Sequence, residues 1–163
     1  MFGLFKKKKK ETKPKGFYSM VSGTSMDITE VDDEMFAGKL LGDGIAVKPS
    51  DDLFVAPCNG TITTVMDSKH AIGLEDENGV QVLIHIGLDT VTLNGEGFEV
   101  YCKVGDKVQV GAPLVKVDRK LLQEKNIPDV TMMVFIELNG HEITTYHTNE
   151  TVAGGKNLLI EYQ

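Results

Sequence analysis

The chain has no tryptophan, only two cysteines and just 7% aromatic residues in 163 positions. Cys58 and Cys102 form no Cys-x-x-Cys pair, and two cysteines in a chain of this size suit reduced thiols in the cytoplasm. Cys58 lies between Pro57 and Asn59 at a turn, and Cys102 follows Tyr101 in a strand-like stretch; both read as structural rather than nucleophilic. The longest unbroken apolar run, Met132 to Ile136, is far below the roughly 20 residues that a membrane helix needs. No apolar h-region follows the first lysines, so no signal peptide fits. A Walker loop is missing as well, which argues against direct ATP binding. Basic residues are scarce beyond the start. Residues 1–15 hold seven lysines against Glu11, a net of +6, while the other 148 hold ten basic and 23 acidic side chains, a net of −13. So acidic a body repels nucleic acid and steers towards basic protein surfaces.

What is present divides into an arm and a domain. Residues 1–16 form a lysine-rich N-terminal arm, and 17–163 a single domain of ordinary size. Met1 to Phe5 followed by Lys6 to Lys10 is an apolar tip with a basic run. It reads either as a solvated tail or as a weak peripheral contact of residues 1–15 with the anionic inner face of a membrane. Phe2 stands where N-myristoylation requires glycine. From Phe17 the texture becomes short apolar stretches, such as 61–66, 108–110, 114–117 and 130–138, broken by fifteen of the chain's seventeen glycines and many turn residues. This predicts an all-β fold, an antiparallel sandwich or barrel. Helix is confined to one or two short turns, at 33–36 and at 119–125 with Asp118 as N-cap. Segments 56–62 and 104–111 echo each other in the manner of lipoyl- and biotinyl-type domains, which points to a duplicated hybrid motif. The presented lysine of a swinging-arm carrier is missing, so the echo speaks for architecture alone.

The most informative stretch runs from Ser68 to Asp89, two apolar runs around Glu75-Asp76-Glu77-Asn78-Gly79. Asn-Gly predicts a two-residue hairpin turn, because both central residues then need positive φ. In that register Ile72 faces His85 and His70 faces Gly87, making the two histidines diagonal neighbours on one face, roughly 7–8 Å apart. Val80, Val82, Ile84, Ile86 and Leu88 alternate with Gln81, Leu83, His85 and Gly87, so the aliphatic set faces the core and His85 points away from it.

The runs His70 to Leu74, Leu83 to Val91 and Leu93 to Phe98 resemble the signature of the glucose-family enzyme IIA of the bacterial phosphoenolpyruvate:sugar phosphotransferase system. Phe36 to Lys39, Gly42 to Pro49, Val55 to Pro57 and Val104 to Gly111 are similar to that family too, and the likeness covers roughly residues 17 to 163. The resemblance implies a phosphoryl-carrier protein. His85 would accept phosphate from phospho-HPr and pass it to the cysteine of an enzyme IIB domain, and the sugar would be chosen by a IIC subunit. Gly87 would hold the inner ring nitrogen through its backbone, and His70 would stabilise the phosphoryl oxygens. Ser68, where the family more often has threonine, would fix the His70 tautomer, and Asp89 would rim the site. Phe36, Leu41, Ile45, Met66, Ile72, Leu83 and Val91 are the docking candidates by family position, with Ile45 and Met66 the likeliest to be core instead.

No cofactor is required by this reading, although His70 and His85 together invite adventitious or regulatory zinc. A zinc hydrolase is disfavoured: no His-x-His accompanies His85, and His141 and His147 are six apart, which fails the HExxH spacing. The rival reading is a regulatory binding module whose phosphorylation state controls partner proteins.

Overall fold

The structure is a computed structural model that describes residues 15–163. Residues 1–14, which make up nearly all of the expected 1–16 arm and 1–15 membrane contact, lie outside the described residues. Gly16, assigned to the arm on the sequence, already pairs with Glu161.

Fourteen strands follow in chain order among the described residues. The first six are β1 (Gly16–Tyr18), β2 (Gly23–Asp27), β3 (Gly44–Pro49), β4 (Leu53–Val55), β5 (Gly60–Val65) and β6 (Ala71–Asp76). Next come β7 (Gln81–Ile86), β8 (Phe98–Val100), β9 (Lys107–Val108) and β10 (Pro113–Val117). The last are β11 (Thr131–Glu137), β12 (Ile143–Tyr146), β13 (Thr151–Val152) and β14 (Leu158–Tyr162). An eight-stranded sheet runs β13-β2-β3-β11-β7-β6-β5-β9, and two three-stranded sheets run β1-β14-β12 and β4-β10-β8. All pairings are antiparallel. The expected all-β fold is what the chain forms. Its two short α-helices are α1 (Glu34–Ala37), capped by Asp33, and α2 (Arg119–Glu124), capped by Asp118. Both lie where the sequence places helical turns. Cys102 differs: it lies just past β8 rather than within a strand.

The two echoing segments lie antiparallel to one another. Ala56 and Gly111–Ala112 exchange backbone hydrogen bonds, Gly60 pairs with Val108, and Ile62 N–H donates to the Asp106 carbonyl. Each repeat therefore completes the other's edge.

The period of two along the central strands sorts side chains onto two faces. Ile45 and Val47, Met133 and Phe135, and Val82, Ile84 and Ile86 face inward, against Phe17, Phe54, Leu114 and Ile160 of the two smaller sheets. That is the main core. The alternate residues Ala46, Met132 and Val134 point to the outer face, where they bury Ile28, Val31, Phe36 and Leu88 in a second, smaller cluster. A four-residue helix such as α1 is too short to persist by itself. Burial of Phe36, worth about 2–3 kcal/mol, and of Val31 holds it on the sheet.

Candidate functional site

The site lies on that outer face, at the middle of a row running across four strands. Ala46 pairs with Met132, Met132 with His85, and His85 with Ala71. His85 thus emerges from β7 with apolar neighbours on both sides, as alternation along the strand requires.

The partner opposite His85 is Ala71, not Ile72, and the cause is the turn. Asp76 N–H donates to the Val80 carbonyl at 2.9 Å, which closes a three-residue loop, Glu77-Asn78-Gly79. The Asp76 carboxylate accepts from Asn78 N–H at 2.9 Å and Val80 N–H at 3.0 Å. Only Gly79 takes positive φ, at 81°, so the two-residue turn does not form. Its single-residue shift sends Ile72 inward, where it pairs with Ile84 in the main core, 1% exposed.

A shift of one would also send His70 to the wrong face if β6 continued through it. It does not. β6 starts at Ala71, and Lys69 at φ 67° turns the chain between β5 and β6. Lys69 N–H donates to Met66 at 2.8 Å, and Ile86 N–H donates to the His70 carbonyl at 2.8 Å. The expected facing of His70 and Gly87 is therefore replaced by a bond from Ile86, and the left-handed residue returns the imidazole to the outer face beside the short Ala71. The two imidazoles sit with centroids 4.8 Å apart and planes at 82°. Sequence reasoning brings them together correctly, by the wrong register.

Their surroundings set their chemistry. His70 is 3% exposed and shares a 2.9 Å hydrogen bond between Nδ1 and the Ser68 hydroxyl. Burial lowers its pKa, against a smaller opposing effect of the Ser68 backbone. Burial likewise pushes His85 down to about 4, helped by the neighbouring His70 and opposed by the Gly87 backbone and Asp33. The His85 ring is therefore neutral at physiological pH. Its Nδ1 is buried, with the Gly87 backbone as the hydrogen-bonding group that acts on the ring. Nε2 is left as the outward nitrogen.

Gly87 shapes the exit from β7. Its φ is 79°, its N–H donates to the Val130 carbonyl at 2.9 Å, and an added Cβ would collide with the Thr90 methyl and the Pro128 carbonyl. Asp89 is exposed at φ 62°, ahead of a 3-10 turn over Thr90–Leu93.

The docking candidates divide. Leu41 and Met66 are each 42% exposed and Val91 is 52% exposed. Met66 is thus surface rather than core. Leu83 is half-buried beside the outer cluster. Ile45 and Ile72 belong to the main core, and Phe36 is 4% exposed with its ring 5.0 Å from that of His85. Two apolar surface residues were missed, Met35 at 47% and Leu40 at 70% exposed. Their signal is faint, because a single helical turn has no readable period. Asp33, whose charge favours a proton on His85, was missed as well.

Zinc finds an incomplete donor set. Two imidazoles supply half of a tetrahedral shell, and among the described residues no group of three or more His, Cys, Asp or Glu converges on one point. His141 packs on Tyr162 and His147 pairs with Glu161 at 2.6 Å, so neither joins the site.

Residues 15–141 match the family described as phosphoenolpyruvate-dependent sugar phosphotransferase system, EIIA 1. The chain belongs to that family. It is a phosphotransferase-system component with a phosphoryl-carrier role in sugar uptake. Its fold matches the glucose permease IIA from Mycoplasma capricolum at a TM-score of 0.84, with 34% identity over 91% of this chain and 96% of that one. It is also 40% identical, over 143 residues, to the glucoside-specific EIICBA component of Staphylococcus carnosus, and over 144 residues to that organism's glucose-specific EIICBA component. Each alignment covers 88% of this chain but 21% of the relative, so this EIIA domain spans about a fifth of their length. Among the described residues no helix is long and apolar enough to cross a membrane.

Proposed function

We propose that His85 of this EIIA domain is the phosphoryl acceptor in a relay from phospho-HPr to the cysteine of an enzyme IIB partner, on the cytoplasmic side of a membrane whose IIC subunit selects the sugar. The observation that carries the reading is the pair of imidazoles on an apolar face, one with its inner nitrogen buried and the other held by Ser68.

The transfer follows from these positions. The Nε2 lone pair of neutral His85 attacks phosphorus in line with the donor's histidine, whose P–N bond breaks as the new one forms. A burial-lowered pKa keeps that lone pair free of a proton. When the Ser68 hydroxyl donates to Nδ1 of His70, the His70 proton lies on Nε2 and can be donated to a phosphoryl oxygen. Asp89, exposed four residues beyond His85, takes the rim position by family resemblance, where its charge either favours onward release of a dianionic phosphate or pairs with an arginine of a partner. Leu41, Met66 and Val91 supply exposed apolar surface for brief docking.

The experiment is incubation with phosphoenolpyruvate, enzyme I and HPr, followed by intact mass. The chain should gain one acid-labile phosphoryl group, and His85→Ala should gain none while remaining folded. A folded His85→Ala variant that still acquires the group would remove His85 from the relay.

A further inference from the structure

Phe36 is too deeply buried to offer a partner much surface, yet it lies against the reacting ring. Its ring centroid is 5.0 Å from that of His85, with the planes at 58°. It rides on α1, which Asp33 caps through a 2.9 Å bond from Met35 N–H, and which Ile28, Val31, Leu88 and Met132 anchor to the outer face. Nδ1 of His85 is buried towards the Gly87 backbone, and the rest of the ring is held by packing. The packing comes from Phe36 and from His70, whose ring is 4.8 Å away.

We infer that Phe36 is a positioning residue for phosphoryl transfer: its ring holds the His85 imidazole with Nδ1 inward and Nε2 outward, and keeps water from the part that it covers. This rests on the reading of His85 as the acceptor. The charged and titratable groups acting on His85 are His70, from the turn between β5 and β6, and Asp33, ahead of α1. From β11 and β6 its facing neighbours are Met132 and Ala71, which do not titrate. Phe36 also helps to hold α1 and with it Asp33, but loss of Asp33 would lower the His85 midpoint, so a rise reports the loss of water exclusion.

The test compares the parent chain with Phe36→Ala and Phe36→Leu in two measurements. One is the NMR titration of the imidazoles. The other is phosphorylation by phosphoramidate, a donor with no docking surface. There Nε2 forms its bond to phosphorus as the P–N bond of the reagent breaks, and ammonia leaves. The His85 midpoint should rise by about one pH unit in Phe36→Ala and by about half as much in Phe36→Leu, as water reaches the ring. The phosphoramidate rate at pH 7, where the ring is neutral in every case, should fall about tenfold in Phe36→Ala, because the imidazole is no longer held in the productive orientation. If Phe36→Ala does not fold, Phe36→Leu decides by the same two readings. Parent-like midpoints and rates, with any loss confined to KM for phospho-HPr, would make Phe36 a docking contact and overturn the inference. Phosphoramidate labelling that persists in His85→Ala would instead overturn the acceptor assignment.

Discussion

Lowering the pH should destabilise this fold through His85 in a way that a single substitution isolates. The ring has a pKa of about 4 in the fold against about 6.5 in an unfolded chain. Between those values the unfolded state binds the extra proton, so stability rises with pH. The contribution is complete above about pH 6.5, falls as pH drops towards 4 and is gone below it. A difference of about 2.5 pH units corresponds to about 3 kcal/mol, of which about 2 kcal/mol is lost by pH 5. Carboxylates titrate in the lower part of that window, and His147, whose pKa is raised chiefly by its hydrogen bond to Glu161, acts with the opposite sign. Both effects are shared by a His85→Gln variant and cancel in the difference. Urea unfolding of parent and variant at half-unit steps from pH 8 to 4 measures that difference directly. It should shrink by about 2–3 kcal/mol on going down, with most of the change between pH 6.5 and 4.5. A difference that stays flat across the window would show that the ring is solvated, and the burial argument for its neutrality would fail.

His70→Gln should leave acceptance from phospho-HPr largely intact but slow onward transfer to IIB by roughly a hundredfold, about 2–3 kcal/mol of lost transition-state stabilisation; rapid-quench kinetics of the two half-reactions separates them, and equal slowing of both refutes the division of roles. Ser68→Ala removes the hydroxyl that sits 2.9 Å from His70 Nδ1 and should slow the same onward step by about five- to tenfold, near 1 kcal/mol, with Ser68→Thr restoring it. Leu41→Asp and Met66→Asp, at positions 42% exposed, should raise KM for phospho-HPr several-fold while leaving the melting temperature within about 2 °C; a larger fall in melting temperature would mean that these side chains support the fold.

The architecture was legible because its signals are local and repeated. Alternation along 81–86 separates Val82, Ile84 and Ile86 from Leu83 and His85, and the buried and half-buried positions follow it residue by residue. Asp118 announces its helical turn because a carboxylate ahead of a helix satisfies an otherwise orphaned N–H, and Asp33, expected inside the first turn, caps it in the same way. The outer cluster was harder to see. It needs residues from 28–36 to fold back over β3 and β11, and nothing local says that Phe36 and Val31 bury against Ala46 and Met132. Phe36 and Ile72 are docking candidates by family position alone, and the structure buries both, Phe36 in the outer cluster and Ile72, one position out of the expected register, in the main core.

The site itself is built where regular structure ends, and that limits what pattern alone can reveal. Gly87 at φ 79° is visible in the sequence, since glycine tolerates that conformation freely. Lys69 at 67° is not, because nothing about lysine predicts a left-handed turn. Yet Lys69 is the residue on which the pairing of the histidines depends. With Asp76 fixing a three-residue loop, a regular β6 would have carried His70 to the core face, opposite Ile86. The left-handed turn undoes that shift within one residue, and Ser68 then holds the ring where the turn has put it. Two irregularities, one at each end of β6, therefore compensate each other. The sequence reading contained neither, which is why it reached the right neighbours while misplacing the strand between them.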